Sequence, residues 1–337
     1  MSNIIDTTPG PSSSTDVVGS SRKHYLTAHS HSNGGTDVDG EGLPRPLNLP
    51  WVKGILIGKG VDVTNVYLGL NSATGKIMAV KQFKLPNTAT RPIDRVRLRG
   101  VVDFFQNEVK MMKDLDHKNV VKYLGWVITP GYLTLLLEYV PGGTIATCLQ
   151  YHGRFQEEIT KSFTMQLLDG LSYLHGNGII HKALKGSSIL VDHRGTCKIS
   201  QFAFSERTQR RSREDKKYLP TKGRVFWMAP EVIEIDPDKW YDEKLDIWSL
   251  GCVVMEMWTG VRPWNGLDDI PVMFKLAVEK VSPPLPEHIQ VGELGMDFKK
   301  RCFERSGCPF LFDIIMLVDL TKNDPLFSSE KLAEQQL

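Results

Sequence analysis

Short runs of apolar and β-branched residues, bounded by glycines, follow one another from Trp51: "VKGILIG", "NVYLGL", "KIMAVKQF", "VVKYLGWVI" and "YLTLLLEYV". Runs of this length and composition predict β-strands. One stretch among them, "VVDFFQNEVKMMKDL" (101–115), changes period. Its Phe104, Phe105, Val109, Met112 and Leu115 recur at helical spacing, so one face of a helix would pack on the sheet. Five strands and one helix predict a small first lobe. After "EYVPGG" the pattern turns to long helices. In "EEITKSFTMQLLDGLSYLHG" (157–176) Ile159, Phe163, Leu167, Leu171 and Leu174 mark one stripe. By contrast "DEKLDIWSLGCVVMEMWTG" (242–260) is apolar nearly all round, which predicts a buried central helix in a second, helical lobe. The sequence shows no internal repeat.

Upstream, residues 1 to about 47 are rich in Ser, Gly, Thr, Asp and Pro and lack the large apolar groups that offset the entropy of ordering. A disordered arm is expected over 1–47, then a folded domain over 48–330, with lobes over about 51–140 and about 141–327, and a tail at 331–337. His24, His29 and His31 cluster in the arm, but a metal site needs a further ligand and fixed geometry, so they read as solvated tail. With 337 residues, 41% of them hydrophobic, the chain can bury at least one large core. Its net charge of +2 gives no reason to expect a nucleic-acid partner. Five scattered cysteines (Cys148, Cys197, Cys252, Cys302, Cys308) show no C-x-x-C spacing, so they read as reduced core thiols rather than a disulfide framework or zinc site. The start has no basic segment followed by an apolar one, and no later apolar run approaches membrane-spanning length. No membrane association is expected, and residence is expected in the cytoplasm, with the nucleus also open.

The order of these signals, together with "VFWMAPEVI", "DIWSLGCVVMEMWTG" and "PPLPEHI", resembles the protein kinase family and, within it, the mitogen-activated protein kinase kinase kinase branch. The resemblance covers 51 to about 327. It implies an α+β, bilobal fold with a β-rich N-lobe carrying one helix and a larger helical C-lobe. In "GKGVDVTNVYLG", Gly58 and Gly60 match the family's first two phosphate-loop glycines, Val63 stands at the third, and Val66-Tyr67 falls one residue late. Phosphate gripping and an ordinary hairpin are equal readings of two glycines. Lys81 matches the lysine that contacts nucleotide phosphates, and Glu108 the helix glutamate that pairs with it. Leu137 matches the cleft-facing residue before the hinge, and Glu138 to Val140 the strip whose backbone meets adenine. Val66, Ala79 and Leu190 match the apolar positions around the ring, where plain core packing is an equally good account.

The family's catalytic groups are replaced. In "HKALKGSSIL" His181 and Lys185 match, Lys182 replaces an arginine, Ala183 stands at the base and Ser188 at a magnesium-binding asparagine. In "SQFAF" Gln201 replaces the aspartate that holds the metal, with Phe202 retained. A methyl accepts no proton, and magnesium prefers charged oxygen ligands. Asp192, just past Leu190, is no obvious replacement. Arg224 stands where the family has the Ser or Thr that bridges the catalytic acid and lysine, and its guanidinium would repel Lys185. The run "RTQRRSREDKKY" reads as a solvated loop. Asp246 matches a buried acid that anchors the catalytic loop. Glu231 matches half of a buried ion pair whose arginine position is Phe310, so Glu231 must reach solvent or another donor, or leave the second lobe loose.

The resemblance therefore implies a pseudokinase whose cleft takes ATP weakly and without magnesium. Such a chain would act by binding kinases or scaffolds of a mitogen-activated pathway. The enzymatic alternative is an active serine/threonine kinase with relocated catalytic groups. A third reading, suggested by Phe310 and the lengthened glycine loop, is a chain that folds poorly.

Overall fold

Glycine-bounded runs become a five-stranded antiparallel sheet in a computed structural model, which describes residues 43–60, 64–86, 92–208, 223–233 and 242–304. The strands are β1 (Trp51–Lys59), β2 (Thr64–Asn71), β3 (Ile77–Lys84), β4 (Tyr123–Thr129) and β5 (Tyr132–Glu138), in the order β1-β2-β3-β5-β4. Register places Val66 opposite Lys81 and Ala79 opposite Leu137, which brings four of the expected cleft residues onto neighbouring strands.

The helix of this lobe, α1, spans Pro92–Met112 and so begins nine residues before the expected 101. Its first turns, "PIDRVRLRG", leave Ile93 and Val96 exposed and bury only Leu98, so no apolar stripe announces them. Proline suits a first helical position because the N–H it lacks would have had no partner there. Further along, Phe105 meets Phe83 and Trp126 edge-to-face, with ring centroids 5.4 and 5.2 Å apart, and this seats α1 on the sheet.

The helical lobe contains α2 (Ile145–His152), α3 (Glu157–Gly176), a short α4 (Pro230–Ile233), α5 (Lys244–Thr259), α6 (Asp269–Phe274) and α7 (Glu293–Cys302). Helix α3 has the expected bounds, with Phe163, Leu167, Leu171 and Leu174 buried. Residues Leu245 to Trp258 of α5 are all buried, as an all-round apolar helix requires. Two short strand pairings fix the loops between α3 and α4: β6 (Ile179–Ile180) with β9 (Glu206–Arg207), and β7 (Ile189–Val191) with β8 (Cys197–Ile199). A single apolar cluster runs from Phe105 and Val109 through Phe202 and Ile199 to Leu171 and Val253, so the two lobes share a core. No described helix is long and apolar enough to cross a membrane.

Several expectations need correction. The described chain starts before the boundary at 47: the Leu47 N–H donates to the Trp126 carbonyl at 2.8 Å, Trp126 Nε1 donates to the Pro44 carbonyl at 2.8 Å, and Leu43 is buried. Gly125 permits this, because a Cβ there would lie 2.2 Å from Leu47 Cδ1 and its φ of +139° is one that side chains rarely adopt. Among the described residues four cysteines are free thiols, but Cys148 at the start of the helical lobe is half-buried rather than a core thiol. Glu231 needs no correction: it is half-buried and has an interaction partner, as the expectation that it reach solvent or another donor allows. Phe310, Cys308, the histidine-bearing arm and most of the basic run lie outside the described residues.

Candidate functional site

Between the lobes lies a cavity of about 720 Å³. Gly58, Gly60, Val66, Ala79, Lys81, Glu108, Leu137, Glu138, Val140 and Leu190 all line it, together with Gln201. Sequence reasoning named every one of them. Gly60 has a local structural reason as well: its N–H donates to the Thr64 carbonyl at 2.9 Å, and a Cβ there would lie 2.0 Å from Thr64 Oγ1. Gly58 has only ordinary contacts, so hairpin closure explains Gly60 and not Gly58. Val63 lies outside the described residues.

Lys81 Nζ donates to both oxygens of Glu108, at 2.8 and 2.6 Å, and both residues are buried. Such a pair holds α1 against β3, since parting it would leave a buried charge uncompensated. The preceding residue, Asn107, reaches the segment after Gln201: its Nδ2 donates to the carbonyls of Ala203 and Ser205, at 3.0 and 2.9 Å. No sequence signal marked Asn107. At the hinge, the Glu138 N–H donates to the Lys122 carbonyl, and the Glu138 carboxylate accepts from the Lys122 N–H at 2.7 Å and from Lys198 Nζ at 2.9 Å.

The loop from His181 to Ser188 hangs from Asp246 on α5. Its Oδ2 accepts the His181 N–H at 2.7 Å and faces His175 Nε2 at 2.9 Å, and its Oδ1 accepts the Lys182 N–H at 2.8 Å. Burial pushes this carboxyl up, but the hydrogen bond and charge of His175, helped by His181, outweigh it and hold Asp246 below its ordinary value. Lys182 takes a φ of +63°, a strained position for a side-chain-bearing residue, and its ammonium pairs with Glu206. His181 donates from Nε2 to the Ser200 carbonyl at 2.9 Å and meets the Phe202 ring edge-to-face. Its burial lowers its pKa, so the neutral ring is favoured.

Ala183 presents only a methyl where the family has a carboxylate. Ser188 is fully buried, and its Oγ accepts the Lys185 N–H at 3.0 Å while donating to the Lys185 carbonyl at 2.9 Å. Gln201 stands at φ +70°, and its Nε2 donates to the Ser187 carbonyl at 3.0 Å. Both side chains thus brace backbone. A magnesium ion does not fit this donor set: one oxygen is spent in a closed turn and the other is a neutral amide. Asp192 Oδ1 accepts the Arg194 and Thr196 N–H groups, both at 2.8 Å, which ties it to its own turn. Among the described residues no group of three or more His, Cys, Asp and Glu side chains is placed to hold a metal.

Arg224 is buried beside this loop, with Nη2 donating to the Lys182 carbonyl at 2.6 Å. Burial, and next the charge of Arg224, lower the pKa of Lys185, which is the repulsion expected from sequence; Glu256 offsets part of it. Sequence reasoning passed over Glu256, although an acid inside the apolar run "VVMEMW" was a visible signal. Its Oε2 accepts from Trp227 Nε1 at 2.8 Å and from the Gly186 N–H at 2.9 Å.

Burial raises the Glu256 pKa from 4.5 to about 7 despite these bonds. Between those values the folded state holds a proton that the unfolded state has lost, so stability falls as pH rises from about 4.5 to 7 and then levels off. Glu256→Gln keeps an acceptor and removes the titration. In urea unfolding it should gain on wild type by on the order of 3 kcal/mol between pH 4.5 and 8. Parallel pH profiles for the two proteins would refute this.

A protein kinase domain matches residues 51–306. Among curated relatives, the MAP kinase kinase kinase mkh1 of Schizosaccharomyces pombe is 42% identical over 270 residues, covering 80% of this chain and 24% of the relative. The serine/threonine-protein kinase BCK1/SLK1/SSP31 of Saccharomyces cerevisiae is 42% identical over 258 residues, covering 75% of this chain and 17% of the relative. The mitogen-activated protein kinase kinase kinase A of Dictyostelium discoideum is 38% identical over 259 residues, covering 77% and 26%. The chain thus spans about a quarter or less of the length of these relatives. The matched region takes in both lobes and every cleft residue named above, and the chain belongs to the protein kinase family.

Proposed function

We propose that this kinase domain is a pseudokinase: it binds partner proteins and transfers no phosphate. One observation carries the reading. At positions 183, 188 and 201 there is no carboxylate, and the hydroxyl and amide that replace two family ligands are engaged with loop backbone. A positioned general base contributes about 10² to 10⁴ in rate, and metal charge stabilisation adds several kcal/mol. The acids lining the cleft among the described residues, Glu108 and Glu138, are paired with Lys81 and Lys198. Neither is free to serve as a relocated base.

Partners are inferred to be kinases or scaffolds of a mitogen-activated pathway, because the relatives are named as MAP kinase kinase kinases. The domain, inferred to begin upstream of residue 48 and to act in the cytoplasm, would bias a partner's own two-state switch by offering a lobe surface. The kinase reading is favoured by one feature, the Lys81–Glu108 pair, and that pair serves a nucleotide without chemistry equally well.

The cleft volume suits a small ligand, and Lys81 with the Tyr139–Val140 strip supplies a phosphate contact and an adenine edge. A thermal-shift titration tests this. ATP with a chelator is expected to raise Tm as much as ATP with magnesium, and Lys81→Ala is expected to remove the rise. A shift that needs magnesium would count against the reading.

A further inference from the structure

Arg224 is only 5% exposed, and among the described residues its guanidinium is paired with no anion. Nη2 donates to the Lys182 carbonyl, Cζ lies 3.8 Å from the centre of the Phe204 ring, and Nη1 has no hydrogen-bond partner among the described residues. A neutral carbonyl and an aromatic face compensate a buried cation only in part. Arg224 and Lys185 line one small recess with Lys182, Ala183, Trp227 and Met228. Lys185 Nζ lies 5.8 Å from the centre of the Trp227 ring. The acid that acts on Lys185, Glu256, already accepts from Trp227 and Gly186. Of the three cationic residues lining the recess, Lys182 is paired with Glu206, which leaves Arg224 and Lys185 beside a position where Ala183 supplies no charge.

We propose that this recess is an anion site that takes the carboxylate of an aspartate or glutamate presented by a partner polypeptide, where an active relative would hold the hydroxyl to be phosphorylated. Nη1 of Arg224 and Nζ of Lys185 are its two donors, a pairing suited to the two oxygens of a carboxylate. The recess is small, about 20 Å³, so it admits only the tip of a side chain, and a carboxylate end is smaller than a tetrahedral phosphate. Loss of the acid at 183 and gain of the arginine at 224 then form one change: a site that repelled acidic residues becomes one that selects them. The inference deepens the non-catalytic reading but does not depend on nucleotide binding.

The test is a thermal-shift titration of the full chain with triglutamate, triglutamine and inorganic phosphate at constant ionic strength. Triglutamate at ten times its Kd is expected to raise Tm by about 2–4 °C, with triglutamine silent. Arg224→Gln should abolish the response. Ala183→Asp, which supplies the carboxylate from within, should also abolish it and should melt higher than wild type without peptide. If Arg224→Gln does not fold, Ala183→Asp decides. No triglutamate response in wild type, or equal responses in the variants, would overturn the site, and a response to phosphate alone would overturn its assignment to a carboxylate. Phosphate transfer by the wild type, assayed separately, would sink the non-catalytic reading and leave these outcomes standing.

Discussion

Phosphate transfer from radiolabelled ATP and magnesium is expected to stay at the level of a Lys81→Met control for the wild-type chain. It should rise at least about 10²-fold when Ala183→Asp, Ser188→Asn, Gln201→Asp and Arg224→Thr are combined. The combination is needed because these positions act as a unit. Asp at 183 alone would be drawn into the uncompensated charge of Arg224, and Asp at 201 alone would face a metal with no second ligand. Position 201 tolerates the change, since aspartate accepts the left-handed conformation that Gln201 already has at φ +70°. Transfer by the wild type, lost in Lys81→Met, would end the pseudokinase reading. No gain in a four-fold variant that still melts cooperatively would show that the defect extends beyond these positions, with the glycine loop as the next place to look.

The largest loss of stability is expected at Asp246. Its carboxylate is fully buried and meets three groups: the backbone N–H of His181, that of Lys182, and His175 Nε2. Asp246→Ala removes all three acceptor contacts in a site that water does not reach. Breaking a buried charged network in this way costs about 3–5 kcal/mol, which lowers Tm by at least about 6 °C in a domain of this size. Asp246→Asn keeps one acceptor and should cost less. Because the folded carboxyl is held below its ordinary value, its contribution is complete above the unfolded aspartate pKa and is lost only as pH falls through the lower folded one. A melting curve for Asp246→Ala within about 2 °C of wild type would show that Asp246 does not anchor the loop.

Much of this was legible in residue order. The sheet strands, α3 and α5 follow from apolar period alone, and the ten cleft positions follow from the resemblance to kinase motifs, whose glycine, lysine and hinge signals each lie within one element. What could not be read were partnerships across elements. Nothing near Asn107 says that its amide crosses to Ala203 and Ser205, 96 and 98 residues away. Nothing in "KISQF" says that Gln201 turns to Ser187, or in "GSS" that Ser188 closes on Lys185. The resemblance implied that metal ligands had been replaced; what the replacements hold depends on the fold. The early turns of α1 escaped because exposed Ile93 and Val96 break the stripe that periodicity detects.

The segment from Leu43 to Leu47 has a consequence for where the folding unit begins. Strand β4 is a rim of the sheet, and a bare rim is a template for pairing with a second molecule. Leu47 donates to the rim carbonyl of Trp126, and Pro44 shields its indole. A fragment cut at Trp51, where the family match starts, would strip that guard and invite self-association, so the autonomous piece extends upstream of the region that resembles other kinases.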